Sequence, residues 1–395
     1  MPADTASADD LRKGCIGIML YYLIVHCMPN FKTTPFRLID YVTFRAGVAA
    51  LTAMLLVLLL GPLTVKLLKR FRTAAPARLA GLVPEKFIDH NKDKTPSMGG
   101  LLIVFAIAVS MLLWANLANP LALIFLGTLI SLSALGFCDD FFKLIPKKKK
   151  GTENEYVRGG ISGKTKLLFQ ILIALLALFS ISRIPGTGAV LREFCVPFVK
   201  EPVWIMPAAL AFVFGSLVVI GSSNAVNLTD GKDGLAVGCV IFCTLTYATF
   251  AYVSGHKFFA EYLNVNFVRG AGEVGVFASC IAGACIGFLW YNCHPASMFM
   301  GDTGSLALGG SIGLIAVLVK QELLLLLVGW VFVMEAGSVI LQVASMKTRK
   351  KRIFLCTPIH HHFEQKGWPE TQIVVRFWII AGVCALIGLA TLKLR

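Results

Sequence analysis

Ten stretches of this chain are long and apolar enough to cross a bilayer, and that narrows its fold more than any other feature. They run over 46–68, 99–118, 121–142, 166–184, 203–223, 234–254, 274–291, 305–319, 323–345 and 373–392. A spanning helix needs about 20 mostly apolar residues, because lipid offers no partner for an open backbone group. The eighth stretch is the weakest, being short and rich in glycine. Composition agrees: 56% of residues are hydrophobic, only 15% are charged, and mean hydropathy is +0.75, whereas a soluble chain carries roughly a quarter charged residues. The expected fold is all-α, a polytopic membrane protein with ten spans. Residues 41–395 form one transmembrane domain and residues 1–40 a polar and interfacial segment. Within that segment Cys15–Met28 is apolar but short for a span and lacks a small-residue cleavage site, so an interfacial helix is expected.

Charge orients the spans. The formal net charge is +15, but the basic residues crowd into Lys66–Lys94, Lys143–Lys166 and Lys347–Lys366, beside apolar runs. That pattern points to topology and anionic headgroups rather than to nucleic acid. The alternating turns at Asn116–Leu121 and Lys320–Glu322 carry little net charge. The positive-inside rule then puts the basic loops in the cytoplasm and both termini outside; Lys393 and Arg395 count against it. Lys147–Lys150 is expected to face headgroups, outside any site. The eleven cysteines form no CxxC pair and sit mostly in apolar runs, so they read as small packing residues.

On this topology the unusual polar stretches share the cytoplasmic face. Asn224–Leu235 (NAVNLTDGKDGL) places Asn224, Asn227, Asp230 and Asp233 between two apolar runs. Such polarity at a span end is costly unless it meets water, ligand or metal. Its glycines let backbone N–H groups approach an anion. Asp233 alone could simply cap the following helix. Lys92–Gly100 (KDKTPSMGG) offers Lys92, Thr95 and Ser97 at a helix start, suited to an anionic or uracil-like group. Asp139 and Asp140 close the third span at a helix C-terminus, where the macrodipole disfavours carboxylates by ~0.3–1 kcal/mol each. A divalent cation or a role as base would account for them, and their ~100° angular separation on a helix gives them different partners. An ordinary ion pair with Lys143 is the plainer account. Asn292–Ser305 (NCHPASMFMGDTGS) contains Asn292, Phe299 and Asp302 just before a helix start, where a carboxylate can hold Mg²⁺ while N–H groups hold phosphate oxygens. His360, His361 and His362 follow a basic run and could meet a diphosphate or move protons near neutral pH. Ser162–Lys166 (SGKTK) imitates the tail of a P-loop, but Arg158 stands where its first glycine belongs and no strand precedes it, so that motif is rejected.

Together these segments, with Gly367-Trp-Pro-Glu and Val375-Arg-Phe-Trp, resemble the phospho-N-acetylmuramoyl-pentapeptide transferase family from about Tyr41 to the C-terminus. The triple histidine favours it over related polyprenyl-phosphate transferases. The resemblance implies a bacterial inner-membrane enzyme with a cytoplasmic cleft. Its reactants would be UDP-N-acetylmuramoyl-pentapeptide and undecaprenyl phosphate, with Mg²⁺ as cofactor, UMP as leaving group and a homodimer left open. It implies that Asp302 binds the metal, that Asp139 acts on the lipid phosphate and that Asp140 supports the site. Asn227, Asp230, Asp233, Asn292, Phe299 and Lys92 would hold nucleotide and diphosphate, and His360 with its two neighbours the diphosphate or sugar-peptide side. The choice between Lys92 and Lys94 stays open. Lys232 stands where the family carries an apolar residue, and is expected to snorkel outward among headgroups. The competing readings are a sister transferase using another UDP-N-acetylhexosamine and an ion-coupled transporter. A transporter more often carries midplane acids and inverted repeats, and the chain shows no repeat.

Overall fold

A computed structural model describes residues 35–70, 95–144, 146–148, 156–158 and 160–393. The interfacial helix expected over Cys15–Met28 and the candidate site lysines Lys92 and Lys94 lie outside these residues. Among the described residues, nine helices are long and apolar enough to cross a membrane, and Gly100–Trp114 is a shorter apolar helix beside them. In chain order the main helices are α1 Val42–Arg70, α2 Gly100–Trp114, α3 Pro120–Leu144, α4 Gly163–Ser182, α5 Ala208–Thr229, α6 Leu235–Gly255, α7 Ala271–Asn292 and α8 Gly301–Leu318. They continue with α9 Glu322–Val328, α10 Trp330–Thr348, α11 Ile359–Gln365 and α12 Glu370–Ala390. Two two-stranded hairpins are the sheet among the described residues. The expected all-α polytopic fold is the fold observed.

Two spans differ from their sequence outline. The ninth is broken at Gly329 into α9 and α10. The fifth runs on to Thr229, so Asn224 and Asn227 lie in its last turns rather than in a loop. Polar residues survive there because they face neighbouring helices: Asn224 Nδ2 donates to Gln170 Oε1 at 3.0 Å.

The glycine-rich eighth stretch becomes α8, which is wholly buried at the centre of the bundle. Without side chains in the way, helices approach to backbone contact, where packing replaces the hydrophobic drive that lipid removes. A Cβ on Gly309 would sit 2.5 Å from Ser222 O of α5, and one on Gly310 would sit 2.2 Å from Leu132 Cδ1 of α3. A second close pair joins α7 to α1, where a Cβ on Gly283 would fall 2.0 Å from Ala50 O. At the end of this pair remote from the site, Arg45 donates to both oxygens of Glu273, at 2.8 and 2.5 Å, and to Trp114 O at 3.2 Å. These partners meet the cost of burying an ion pair. The Lys320–Glu322 turn is also buried rather than exposed, its ammonium bonded to the Glu322 carboxylate.

Candidate active site

The C-terminus of α3 and the N-terminus of α4 each carry charge of the sign their macrodipole disfavours. Asp139 and Asp140 lie near the end of α3, just ahead of Lys143 in its last turn, while Lys164 and Lys166 open α4. Put side by side, the two misplaced charges neutralise one another. Lys166 Nζ lies 3.4 Å from Asp139 Oδ2 and 2.7 Å from Asp302 Oδ2. Lys143 Nζ reaches Asp139 Oδ2 at 2.7 Å, Asp302 Oδ2 at 2.8 Å and Asp140 Oδ1 at 3.7 Å. All three aspartates are buried.

The adjacent acids do take different partners. Asp139 Oδ1 accepts from Ile161 N at 2.8 Å. Asp140 Oδ2 accepts from Thr303 N at 2.9 Å and from Thr303 Oγ1 at 2.8 Å, at the first turn of α8. That approach needs a glycine at 301: its φ is +75°, and a Cβ there would lie 2.7 Å from Asp140 Oδ2 and 3.1 Å from Ser97 Oγ. Asp302, second residue of α8, is held on its other oxygen by Asn227, whose Nδ2 donates to Asp302 Oδ1 at 2.9 Å and to Ser305 Oγ at 2.8 Å.

Two loops pair to form the next wall. Phe299 N donates to Pro96 O, and Gly99 N to Phe299 O, both at 2.8 Å; Gly100 N reaches Met300 O at 2.9 Å. Thr95 Oγ1 lies 3.4 Å from Ala296 O. Thr95, Ser97 and Phe299 therefore share one rim with Asp302. Beyond it, Asn292 Oδ1 accepts from Gly234 N at 3.1 Å, and its Nδ2 donates to Met298 O at 2.9 Å. Asp233 does not cap α6. Gly234 holds the cap position with φ +77°, and Asp233 Oδ2 accepts from Ala296 N at 3.1 Å, with His294 Nδ1 also at 3.1 Å. Asp230 closes α5 at the other end of the same turn. Asn224 sits a helical turn deeper than Asn227, against α4, and does not reach Asp302 in these contacts.

The three histidines take three separate partners inside the protein. His360 is buried, with Nδ1 3.0 Å from Glu335 Oε2. His361 Nδ1 meets Glu364 Oε2 at 2.9 Å, and His362 Nδ1 accepts from Leu355 N at 3.1 Å. Burial drives the His361 pKa down despite the Glu364 carboxylate, with His360 and Lys232 adding to the drop. A seven-residue helix turns successive side chains some 100° apart, so three neighbours find three partners.

Lys232 overturns its expectation. It is buried, with Nζ 2.5 Å from Glu364 Oε1 and 3.7 Å from Glu370 Oε2. The position faces protein, and two acids, Glu364 of α11 and Glu370 of α12, supply the counter-charge. Burial raises the Glu364 pKa, but hydrogen bonds from His361 and Lys232 outweigh it and hold the carboxyl at about 2.

Among the described residues, Asp233, His294 and Glu370 bring three ligand atoms within 4.8 Å of one another. Protein groups already serve that cluster, since Glu370 Oε1 accepts from Asp233 N at 3.0 Å and Lys232 supplies a cation. The expected metal ligand, Asp302, lies outside that cluster; its carboxylate is a hard oxygen donor of the kind Mg²⁺ takes, and the Nζ atoms of Lys143 and Lys166 stand within 2.8 Å of Asp302 Oδ2, where positive charge is accommodated.

Sequence reasoning passed over Lys166, Glu335, Thr303 and Ser305. The signal for Lys166 was available. A lysine in the first turn of a span, after a Ser162 cap that accepts from Thr165 N at 3.2 Å, needs a nearby acid.

Residues 121–320 match the family model described as glycosyl transferase family 4. A phospho-N-acetylmuramoyl-pentapeptide-transferase of Methylacidiphilum infernorum is 44% identical over 378 residues, covering 95% of this chain and all of the relative. The enzyme of the same name from Koribacter versatilis is 44% identical over 394 residues, with the same shares covered. That of Neisseria meningitidis serogroup C is 47% identical over 362 residues, covering 92% and 97%. With that identity along nearly the whole chain, and with Asp139, Asp140 and Asp302 of the matched region brought together by Lys143 and Lys166, the chain belongs to the phospho-N-acetylmuramoyl-pentapeptide-transferase family.

Proposed function

We propose that the protein transfers phospho-N-acetylmuramoyl-pentapeptide from its UDP-linked donor to undecaprenyl phosphate, releasing UMP, at the cytoplasmic face of a bacterial inner membrane. The observation that carries this reading is the buried cluster of Asp139, Asp140 and Asp302 with Lys143, Lys166 and Asn227. A phosphate oxygen of the lipid attacks the phosphorus attached to the sugar, and the bond from that phosphorus to UMP breaks. Both reactants are anionic, so phosphoryl transfer depends mainly on positioning and charge stabilisation.

Lys143 and Lys166 draw the lipid phosphate to the membrane face. Asp139, which both lysines touch, orients that phosphate and accepts a proton from it when it arrives protonated. Asp140 fixes the first turn of α8 through Thr303, so that its N–H groups point at the diphosphate. The paired loops carrying Thr95, Ser97 and Phe299, with the Asp230–Asp233 turn and Asn292 behind them, form the nucleotide side. Asp302, with Asp139 and Asp140 beside it, would hold Mg²⁺, which supplies Lewis-acid screening of the diphosphate charge. The polyprenyl chain stays in lipid throughout, which suits a site built on helix ends.

The sister-transferase reading is separated by donor choice. Purified protein with Mg²⁺ and undecaprenyl phosphate is expected to release UMP from UDP-N-acetylmuramoyl-pentapeptide and far more slowly from UDP-N-acetylglucosamine. Equal or inverted rates would assign it to the sister activity.

A further inference from the structure

A carboxylate inside a membrane helix is expensive unless something compensates it. Glu335, in the second turn of α10, is wholly buried, and no metal ligand, lysine or arginine accounts for it in the contacts of the described residues. Its partner is an imidazole from another element: His360 Nδ1, 3.0 Å from Glu335 Oε2. The ring's other nitrogen tells more. His360 Nε2 is buried and has no hydrogen-bond partner among the described residues. It points at Gly231, where a Cβ would stand only 2.5 Å away. Gly231 belongs to the turn between Asp230 and Asp233, so the absence of a side chain there leaves Nε2 facing the turn expected to hold nucleotide and diphosphate.

We infer that Glu335 is a positioning residue for His360. It holds the ring by Nδ1–H and leaves Nε2 as the atom that meets the substrate. A buried polar nitrogen without a partner is costly in the resting protein, and a ligand oxygen repays that cost on binding. When the anionic diphosphate binds, Nε2 takes up one proton from solvent, so that the ring has an N–H on each side. One is donated to Glu335 and the other to a phosphoryl oxygen, while the Glu335 carboxylate balances the imidazolium charge. No bond to phosphorus is made by either residue. The arrangement is the carboxylate–histidine logic that fixes a tautomer in hydrolytic triads, here used to aim a donor where charge develops. The break at Gly329 sets where α10 begins and so where Glu335 falls along the bundle.

This inference rests on the transferase reading, and its test keeps the two apart. The full chain, its Glu335→Gln and His360→Gln forms and the double variant are compared for UMP release from the UDP-muramoyl-pentapeptide. The expected loss for Glu335→Gln is about 10²-fold in kcat, with donor KM within about threefold because the nucleotide contacts are untouched. A residue acting only through His360 adds nothing once His360 is gone, so the double variant should match His360→Gln. Losses that multiply in the double variant, or parent-like kcat in Glu335→Gln, overturn the inference and leave the transferase reading standing. Failure of the parent to release UMP overturns the transferase reading instead. Should Glu335→Gln not fold, ¹⁵N spectra of histidine-labelled parent, assigned by difference from His360→Gln, still decide. A proton on His360 Nδ1 supports the pair, and a ring protonated at Nε2 alone overturns it.

Discussion

The ammonium of Lys232 lies between two carboxylates far along the chain, Glu364 and Glu370, and ties the Asp230–Asp233 turn to α11 and α12. Replacing it by leucine removes the cation and leaves two partly buried acids facing each other's field. The expected cost is about 1–2 kcal/mol, discounted because Glu364 keeps some contact with water. The pH dependence follows from Glu364. Its folded pKa is depressed to about 2 from an ordinary 4.5, so its contribution is complete above the ordinary value and disappears as pH falls towards 2. Thermal unfolding of Lys232→Leu should therefore show the same deficit at pH 6 and pH 8, and parent-like stability at both would contradict the latch. The position was legible as unusual, but its direction was not. Hydropathy says where a lysine is costly, and only the return of the chain after α10 says which acids it meets. The same holds for His360, whose burial depends on a glutamate in another span. Asp139 and Asp140 are the opposite case: neighbouring residues on one helix must diverge, and their separate partners follow from helix geometry alone.

Among the elements, α8 carries the lesson about glycine. The short run over 305–319, broken by Gly309, Gly310 and Gly313, scores poorly as a lipid-facing span, yet α8 is wholly buried inside the protein and its glycines are a contact surface. Hydropathy measures what a helix offers to lipid and is blind to what it offers to other helices. Gly309→Leu is expected to destabilise the bundle by at least ~2–3 kcal/mol, since the side chain would have to displace the α5 backbone near Ser222. A melting temperature unchanged in the same detergent would show that α5 and α8 are not packed this way. The remaining span boundaries were readable to within a few residues. The fifth slipped because Asn224 and Asn227 look like loop residues until Gln170 and Asp302 supply their partners. The ninth broke at Gly329 within a continuous apolar run, where no hydropathy change marks the interruption.

Across the described residues, the helices bring polar stretches together at one end of the bundle from segments 201 residues apart, as between Thr95 and Ala296. That convergence was readable from charge alternation, because the basic loops and the acidic helix ends share a side. The internal wiring was not: Lys143 and Lys166 bind the same carboxylates that a metal would, so the site is held together by cations belonging to the protein. The central claim is that this cluster performs the transfer. The most direct measurement is the initial rate of UMP release from UDP-N-acetylmuramoyl-pentapeptide across a Mg²⁺ titration, for the parent and for Asp302→Asn. The account predicts a Mg²⁺-dependent parent rate and a loss of about 10²–10³-fold in the variant, with the variant still folded. A variant that keeps the parent rate and the same Mg²⁺ dependence would contradict it.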